Sequence, residues 1–170
     1  MSKEDATGKM KSEIERITDE SRELAVIIRD NYHREGIHFL TEGDYSQQLA
    51  YMHHPKGKTI DAHIHNHEER NIVLTQEVLV IKKGILRVDF YREDYSYLKS
   101  TLLHEGDIIL LASGGHGFEV IEEVEMIEIK QGPYLGERDK TRFKGITAQE
   151  AAIQGEKLHE KNSSLPYRKA

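Results

Sequence analysis

The chain has 170 residues, a length typical of one domain, and its 24 basic and 30 acidic residues give a net charge of −6 with histidine neutral. This charge argues against a nucleic-acid partner, which requires a basic surface to neutralise phosphates, and against an electrostatic membrane anchor. The absence of cysteine excludes disulfides, iron–sulfur clusters and thiol catalysis. The polar start and the shortness of every apolar run favour a cytoplasmic protein with no membrane partner.

The N-terminal segment predicts an α-helix that forms an extension of the main domain over residues 1–35. Four apolar residues fall on one helical stripe: Ile14, Ile17, Leu24 and Ile28. Ser12 followed by Glu15 is a possible capping box, and Gly36 provides a stop signal after the pattern. We therefore expect a helix that packs on the outside of the domain.

From residue 36 the sequence changes to short apolar stretches separated by turn signals. The predicted strands are Ile37–Thr41, Tyr45–His53, Lys58–His65, Ile72–Lys82, Ile85–Tyr91, Leu98–His104, Asp107–Leu111, Gly117–Ile121 and Val124–Lys130. Because Val78–Ile81 is apolar on both faces, that strand should be covered on both sides. Many short strands predict an all-β sandwich, barrel or jelly roll over residues 36–134. A C-terminal extension, residues 135–170, is polar, and Thr147 with Glu150 predicts the capping box of a surface helix that ends near Lys161.

Five of the ten histidines lie between residues 53 and 67. Within Lys58–His67 the apolar residues Ile60, Ala62 and Ile64 share one parity, and Asp61, His63, His65 and His67 share the other. A β-strand directs alternate side chains to opposite faces, so one face would be apolar and the other would present imidazoles. Two imidazoles on one face can bind one metal ion. For this pattern alone, an exposed edge strand without a ligand is the alternative.

Two segments further resemble the motifs of the cupin superfamily. The first comprises Gly57, five residues, His63-Ile64-His65, a glutamate, six residues and Gly84, and the glutamate at the family distance from Gly84 is Glu77. The second is the stretch Gly106–His116, in which an alanine replaces the usual proline. The resemblance covers about residues 40–132. It implies a mainly β, cupin-type double-stranded β-helix, which is a jelly-roll barrel.

The resemblance implies that one divalent metal ion is bound by four ligands: His63, His65, Glu77 and His116. Such a set suits Fe, Mn, Ni, Co or Zn, and the sequence does not distinguish among them. Glu69 lies at the literal family spacing after His65 and is the rival carboxylate. We favour Glu77 because it begins an apolar strand that would hold it rigidly, whereas Glu69 lies in a polar run.

An open coordination position on this ion would allow polarisation of a carbonyl, or activation of water or dioxygen. The resemblance therefore implies a small enzyme that acts on a polar or sugar-like substrate, by isomerisation, epimerisation or dioxygen-dependent cleavage. Tyr51 and His67 are the candidate catalytic residues, and His67 is also an optional ligand. The alternatives are a non-catalytic ligand- or metal-binding module and a metal-independent sugar isomerase or epimerase.

Two further expectations concern surfaces. Cupins commonly pair through sheet faces, and the apolar face of Ile60, Ala62 and Ile64 needs a cover, so we expect a homodimer. Arg87 alternates with the apolar residues of its strand and is predicted to be exposed, with an anionic substrate as the alternative if that face points inward.

Overall fold

The computed structural model describes residues 12–151. The protein is mainly β, and its strongly curled antiparallel sheet forms a half-barrel. This confirms the mainly β part of the predicted fold class, whereas the cupin-type jelly roll stays a prediction. In the described part of the chain, no helix is long and apolar enough to cross a membrane.

Eight strands and one short helix form the described structure. The strands are β1 (Ile14–Asp19), β2 (Arg22–Ile28), β3 (Gly36–Phe39), β4 (Ala50–His53), β5 (Glu77–Tyr91), β6 (Tyr97–His104), β7 (Ile108–Leu111) and β8 (Gly115–Lys130), followed by a 3₁₀ helix at Gly136–Arg138. The main sheet has the order β1-β2-β7-β5-β6. Strands β7 and β6 pair with the first and second halves of one edge of β5, and β8 pairs along the whole of the opposite edge. Strands β3 and β4 form a separate two-stranded sheet.

The predicted N-terminal helix is wrong for residues 14–28, which form the β1–β2 hairpin instead. Residues 24–28 form a run whose members are all buried, and β2 lies between β1 and β7. The β-branched residues Val26, Ile27 and Ile28 suit a strand buried on both faces better than a helix. The apolar spacing that predicted a helix thus results from two strands joined by the short turn at Glu20 and Ser21.

Three further corrections concern strand boundaries. The two strands predicted on either side of Gly84 are the single strand β5, and the two predicted within residues 117–130 are the single strand β8. The segment Lys58–His65 forms no strand. Ile60 and Ile64 are 62% and 88% exposed, because no neighbouring strand pairs with their segment. The predicted strand with one apolar and one imidazole face is therefore wrong for the described structure, because alternation could not supply a pairing partner.

A bend in the middle of β5 curls the sheet. A straight strand of fifteen residues would be about 50 Å long. The register between β5 and β8 shifts three times between Ile81 and Leu86. Gly84 lies in this bend with φ +83°, and a Cβ there would lie 1.9 Å from the carbonyl oxygen of Glu123. Only glycine fits this close approach of two backbones.

The same bend keeps the apolar side chains of β5 on one face. Before it the core residues occupy odd positions, and after it they occupy even positions: Leu79 and Ile81, then Leu86, Val88 and Phe90. All five belong to one buried cluster with residues of β1, β2, β6 and β7, which defines the inner face of the sheet. On the outer face Val78 packs with Leu110 and Ala112. The prediction that residues 78–81 are covered on both sides is therefore confirmed.

A buried ion pair connects Arg29, the residue after β2, to the turn between β6 and β7. Nη1 of Arg29 donates to Oδ2 of Asp107 at 2.7 Å and to the carbonyl of Leu102 at 2.7 Å. The Asp107 carboxylate also accepts the backbone N–H of Asp30 and of His104, both at 3.0 Å. Asp107, a residue of the second motif, therefore has a structural role: it holds the turn between β6 and β7 against the end of β2.

Near the C-terminal end of the described residues, Thr147 and Glu150 are in contact as the predicted capping box requires, but residues 148–150 form a turn and no helix begins there within the described residues. The backbone N–H and the hydroxyl of Thr147 each donate to Oε2 of Glu150 at 2.8 Å. The remainder of the segment predicted to be helical, up to about Lys161, lies outside the described residues.

We expect Gly84→Ala to destabilise the protein by at least about 2 kcal/mol more than Gly57→Ala, measured by denaturant unfolding. Gly57 has a similar φ of +89°, but a Cβ at this position would meet no atom within 4 Å, so it controls for the backbone conformation alone. Equal losses of stability in the two variants would show that the close approach at Gly84 does not hold the bend.

We expect Asp107→Ala to lower the free energy of unfolding by about 3 kcal/mol, because it removes one of the two carboxylates paired with the buried Arg29 and the acceptor of two backbone N–H groups. Glu123→Ala removes an exposed ion pair with Lys83, which spans 2.9 Å, and serves as the control. Its effect should stay below about 1 kcal/mol. Thermal or denaturant unfolding of both variants checks this, and a small loss in Asp107→Ala would contradict it.

Candidate functional site

Two of the predicted ligands, Glu77 and His116, meet on the inner face of the curled sheet. Glu77 is the first residue of β5, and His116 lies near the start of β8, opposite Phe90 at the other end of β5. The bend brings these two ends together, and Nε2 of His116 lies 3.1 Å from Oε2 of Glu77. Both side chains are positioned by strands, so we expect little freedom in their relative geometry.

Basic groups surround this pair. The hydrogen bond from His116 lowers the pKa of Glu77 below its usual value of 4.5, with burial opposing the effect and the charges of Lys130 and Lys140 assisting it. Nζ of Lys130 lies 3.8 Å from Oε1 of Glu77 and 3.3 Å from Oδ2 of Asp139. Glu77 is therefore ionised at neutral pH and can act as a ligand or a hydrogen-bond acceptor.

The pair lies at one wall of a cleft of about 650 Å³. Part of the lining comes from an irregular segment, residues 139–147, which we call the strap. The strap is attached at Asp139 through Lys130, and at Ile146, whose backbone N–H donates to the Tyr91 hydroxyl at 3.0 Å. Between these points the ring of Phe143 packs edge-on against Tyr91, with ring centres 5.0 Å apart. A cleft of this size suits a small organic ligand.

The other two predicted ligands lie elsewhere. His63 and His65 are exposed on the irregular segment 54–76, with their rings 5.3 Å apart. Over residues 12–151, no group of three or more His, Asp or Glu side chains could hold a metal ion as they stand. The structure thus brings together one ligand from each motif and leaves the His-x-His pair apart from them.

The remaining candidates are also outside the cleft. His67 and Glu69 are exposed on the same segment as His63. Tyr51 lies on β4, where its ring packs edge-on against Tyr32 at 4.9 Å and its hydroxyl lies 3.5 Å from Nδ1 of His33. Tyr51 is not among the residues that line the cleft.

The exposure predicted for Arg87 is wrong. Its side chain is buried on the outer face of the sheet and donates twice to Asp89, from Nε at 2.8 Å and from Nη2 at 2.9 Å. Glu119 on β8 forms a second ion pair with it. Arg87 and Asp89 lie two residues apart, which places them on one face of the strand, and this spacing was the signal for their pairing.

Sequence reasoning missed the residues that support the pair. Gln76, directly before Glu77, accepts hydrogen bonds from the hydroxyl of Ser46 at 3.0 Å and from the backbone N–H of Gln47 at 2.9 Å. Its own backbone N–H donates to the side chain of Gln131 at 2.7 Å. These contacts fix the start of β5. In the sequence, the only signal for this role of Gln76 is its position next to Glu77. No sequence pattern pointed to Lys130 or Asp139.

Comparison with known proteins assigns no family: no family model, curated protein or solved structure matches the chain. The cupin resemblance therefore depends on its two motifs. Of the four ligands that the motifs imply, only Glu77 and His116 meet in the described structure.

We expect Tyr91→Phe to loosen the strap while leaving the sheet intact. The ring contact with Phe143 would remain, but Ile146 would lose its hydrogen-bond acceptor. Amide exchange at Ile146 should become about tenfold faster, with a loss of global stability of about 1 kcal/mol or less. Hydrogen exchange measured by mass spectrometry or NMR checks this. Tyr95→Phe is the control, since the Tyr95 hydroxyl forms no hydrogen bond within residues 12–151, and equal exchange in both variants would contradict the assigned anchor.

Proposed function

We propose that this protein binds one divalent metal ion at Glu77 and His116 and presents it to a small polar ligand in the adjacent cleft. The observation that supports this is the 3.1 Å contact between one residue of each motif, on different strands and at one wall of the cleft. The proposal includes an enzymatic role on a polar or sugar-like molecule. The two reaction classes, isomerisation or epimerisation and dioxygen-dependent cleavage, both stay open.

The donor atoms of this pair fit a metal site. An imidazole nitrogen and a carboxylate oxygen each bind first-row divalent metals such as Fe, Mn, Co, Ni or Zn at about 2.0–2.2 Å. Neighbouring ligand atoms around such an ion are about 3 Å apart, which is close to the observed contact between His116 and Glu77. When bound, the ion would polarise a carbonyl or activate water.

The full ligand set requires segment 54–76 to deliver His63 and His65. Twelve positions separate His65 from Glu77, and an extended chain of that length reaches up to about 40 Å. Closing such a loop costs about 2 kcal/mol, far below the roughly 10–16 kcal/mol that structural zinc can supply. Within the described residues the outer edge of β8 has no partner strand, so the segment could also pair there and close the half-barrel into the cupin-type jelly roll.

Homodimerisation remains part of the proposal. Ile60 and Ile64 on segment 54–76 are exposed, as are Ile37, Phe39 and Met52 on the β3–β4 hairpin. An isolated two-stranded hairpin is only marginally stable, which favours a covering partner for its apolar face.

A second candidate function is metal-free acid–base catalysis by the same pair. It is favoured by one observation: Glu77 and His116 already lie within hydrogen-bonding distance without any movement of segment 54–76. The carboxylate would orient the imidazole, and His116 would transfer a proton to or from the ligand in the cleft.

Metal titration of the full chain tests the main proposal. We expect one Zn²⁺ or Mn²⁺ ion per chain, measured by calorimetry and elemental analysis. His116→Ala and Glu77→Gln should each weaken binding at least about 100-fold, because each removes a ligand. His65→Ala should have a similar effect if segment 54–76 supplies ligands. The control is His53→Ala, which removes an exposed imidazole on β4.

The outcomes separate the two candidates. Full metal retention by both His116→Ala and His65→Ala would overturn the proposed metal site. A chain that binds no metal, but whose affinity for a cleft ligand still falls in His116→Ala, would favour metal-free acid–base chemistry. Damage by Glu69→Gln in place of Glu77→Gln would identify Glu69 as the carboxylate ligand.

A further inference from the structure

Tyr95 occupies a backbone position that tyrosine disfavours. It ends the turn between β5 and β6, where its N–H donates to the carbonyl of Arg92 at 3.0 Å, and its φ is +68°. Glycine or asparagine adopts this left-handed conformation at lower cost than a bulky residue. The side chain is also 55% exposed, so burial in a core does not explain the tyrosine. Strained backbone of this kind concentrates at ligand sites.

The position of the ring suggests what the tyrosine is for. Tyr95 lines the same cleft as Glu77 and His116. Its ring packs against Phe143 of the strap, with centres 4.9 Å apart and an interplanar angle of 40°. Contact with Phe143 limits the motion of the ring and leaves more than half of the side chain accessible. A held, accessible aromatic ring at the wall of a cleft is suited to stack on a flat ring of a ligand.

The charges of the cleft indicate the second property of the ligand. Of its basic side chains, Arg92 is paired with Asp19 at 2.8 Å and Arg142 is paired with Glu137. Lys140, on the strap, lines the cleft and has no ion-pair partner within residues 12–151. Its charge also acts on Glu77, which lines the same cleft. The acidic side chains that line the cleft, Glu77, Glu93 and Asp139, each have a basic partner. The unpaired charge of Lys140, together with that of a bound divalent ion, therefore favours an anionic group.

We propose that the cleft binds a small anionic ring compound, such as a uronate or an aryl carboxylate, with its ring stacked on Tyr95 and its anionic group paired with Lys140. This names the ligand class of the proposed metal site and therefore rests on the proposed function. The strained turn at Tyr95 is then retained because the aromatic ring is needed for binding.

The test uses four probes on the full, metal-loaded chain: glucuronate and benzoate as anionic rings, glucose as a neutral ring, and acetate as an anion without a ring. Affinities are measured by NMR titration. We expect at least one anionic ring to bind about tenfold more tightly than glucose and acetate. Tyr95→Asn should raise the melting temperature by a few degrees and weaken this binding about tenfold. Tyr95→Phe should bind within about twofold of the wild type, and Lys140→Ala should lose the preference for the anion.

Glu20→Asn is the matched control, because Glu20 is the other non-glycine residue with positive φ in the described structure, at +52°. It should also raise the melting temperature and should leave binding unchanged. The inference is overturned if neither anionic ring binds, or if Tyr95→Asn binds as tightly as the wild type. Metal content is measured in the same samples. If the wild type holds no metal but still binds an anionic ring through Tyr95, the proposed function is overturned and this inference stands. If fully metal-loaded samples bind no anionic ring, this inference is overturned and the proposed function stands.

Discussion

The bend of β5 at Gly84 is the constraint on which the rest of the structure depends. It changes the parity of the strand, so that Leu79 before it and Val88 after it both face the inner core. It also turns one strand of fifteen residues back on itself, which brings Glu77 at its start close to His116 opposite its end. A straight strand would keep these residues far apart and would expose half of its apolar side chains to solvent.

The two halves of the proposed metal site differ in how they are held. Glu77 and His116 lie on paired strands, and Gln76 fixes the start of β5 through hydrogen bonds to three neighbours. His63 and His65 lie on an exposed segment whose position would be set only by binding. Ligands on strands already have a fixed geometry, so binding a metal costs no further ordering there. Ligands on the exposed segment must first be ordered, so the affinity for the metal depends on the closure of that loop. Such a division would couple metal binding to the completion of the barrel.

Local patterns predicted the interior of the sheet better than its ends. The double covering of residues 78–81 and the place of Glu77 at the head of a strand followed from continuous apolar residues after a polar one. The β1–β2 hairpin was missed because apolar residues three, four and seven apart fit both a helix and a pair of strands with one bulge. Only the β-branched run Val26–Ile28 distinguishes the two. The exposure of Lys58–His65 could not be predicted, because strand formation there depends on a pairing partner and not on its own alternation.

The charge on β8 limits where a second copy could bind. Within the described residues its outer edge is unpaired, and an edge strand of sixteen residues would normally invite another strand to add. Strand β8 carries five glutamates, the first at Glu119 and the last at Glu128, so antiparallel pairing of two β8 edges would place like charges opposite each other. Self-association along this edge is therefore disfavoured. The uncharged apolar face of the β3–β4 hairpin is the more suitable interface for the predicted homodimer. Ile37, Phe39 and Met52 are exposed on this face, and no acidic side chain lies between them.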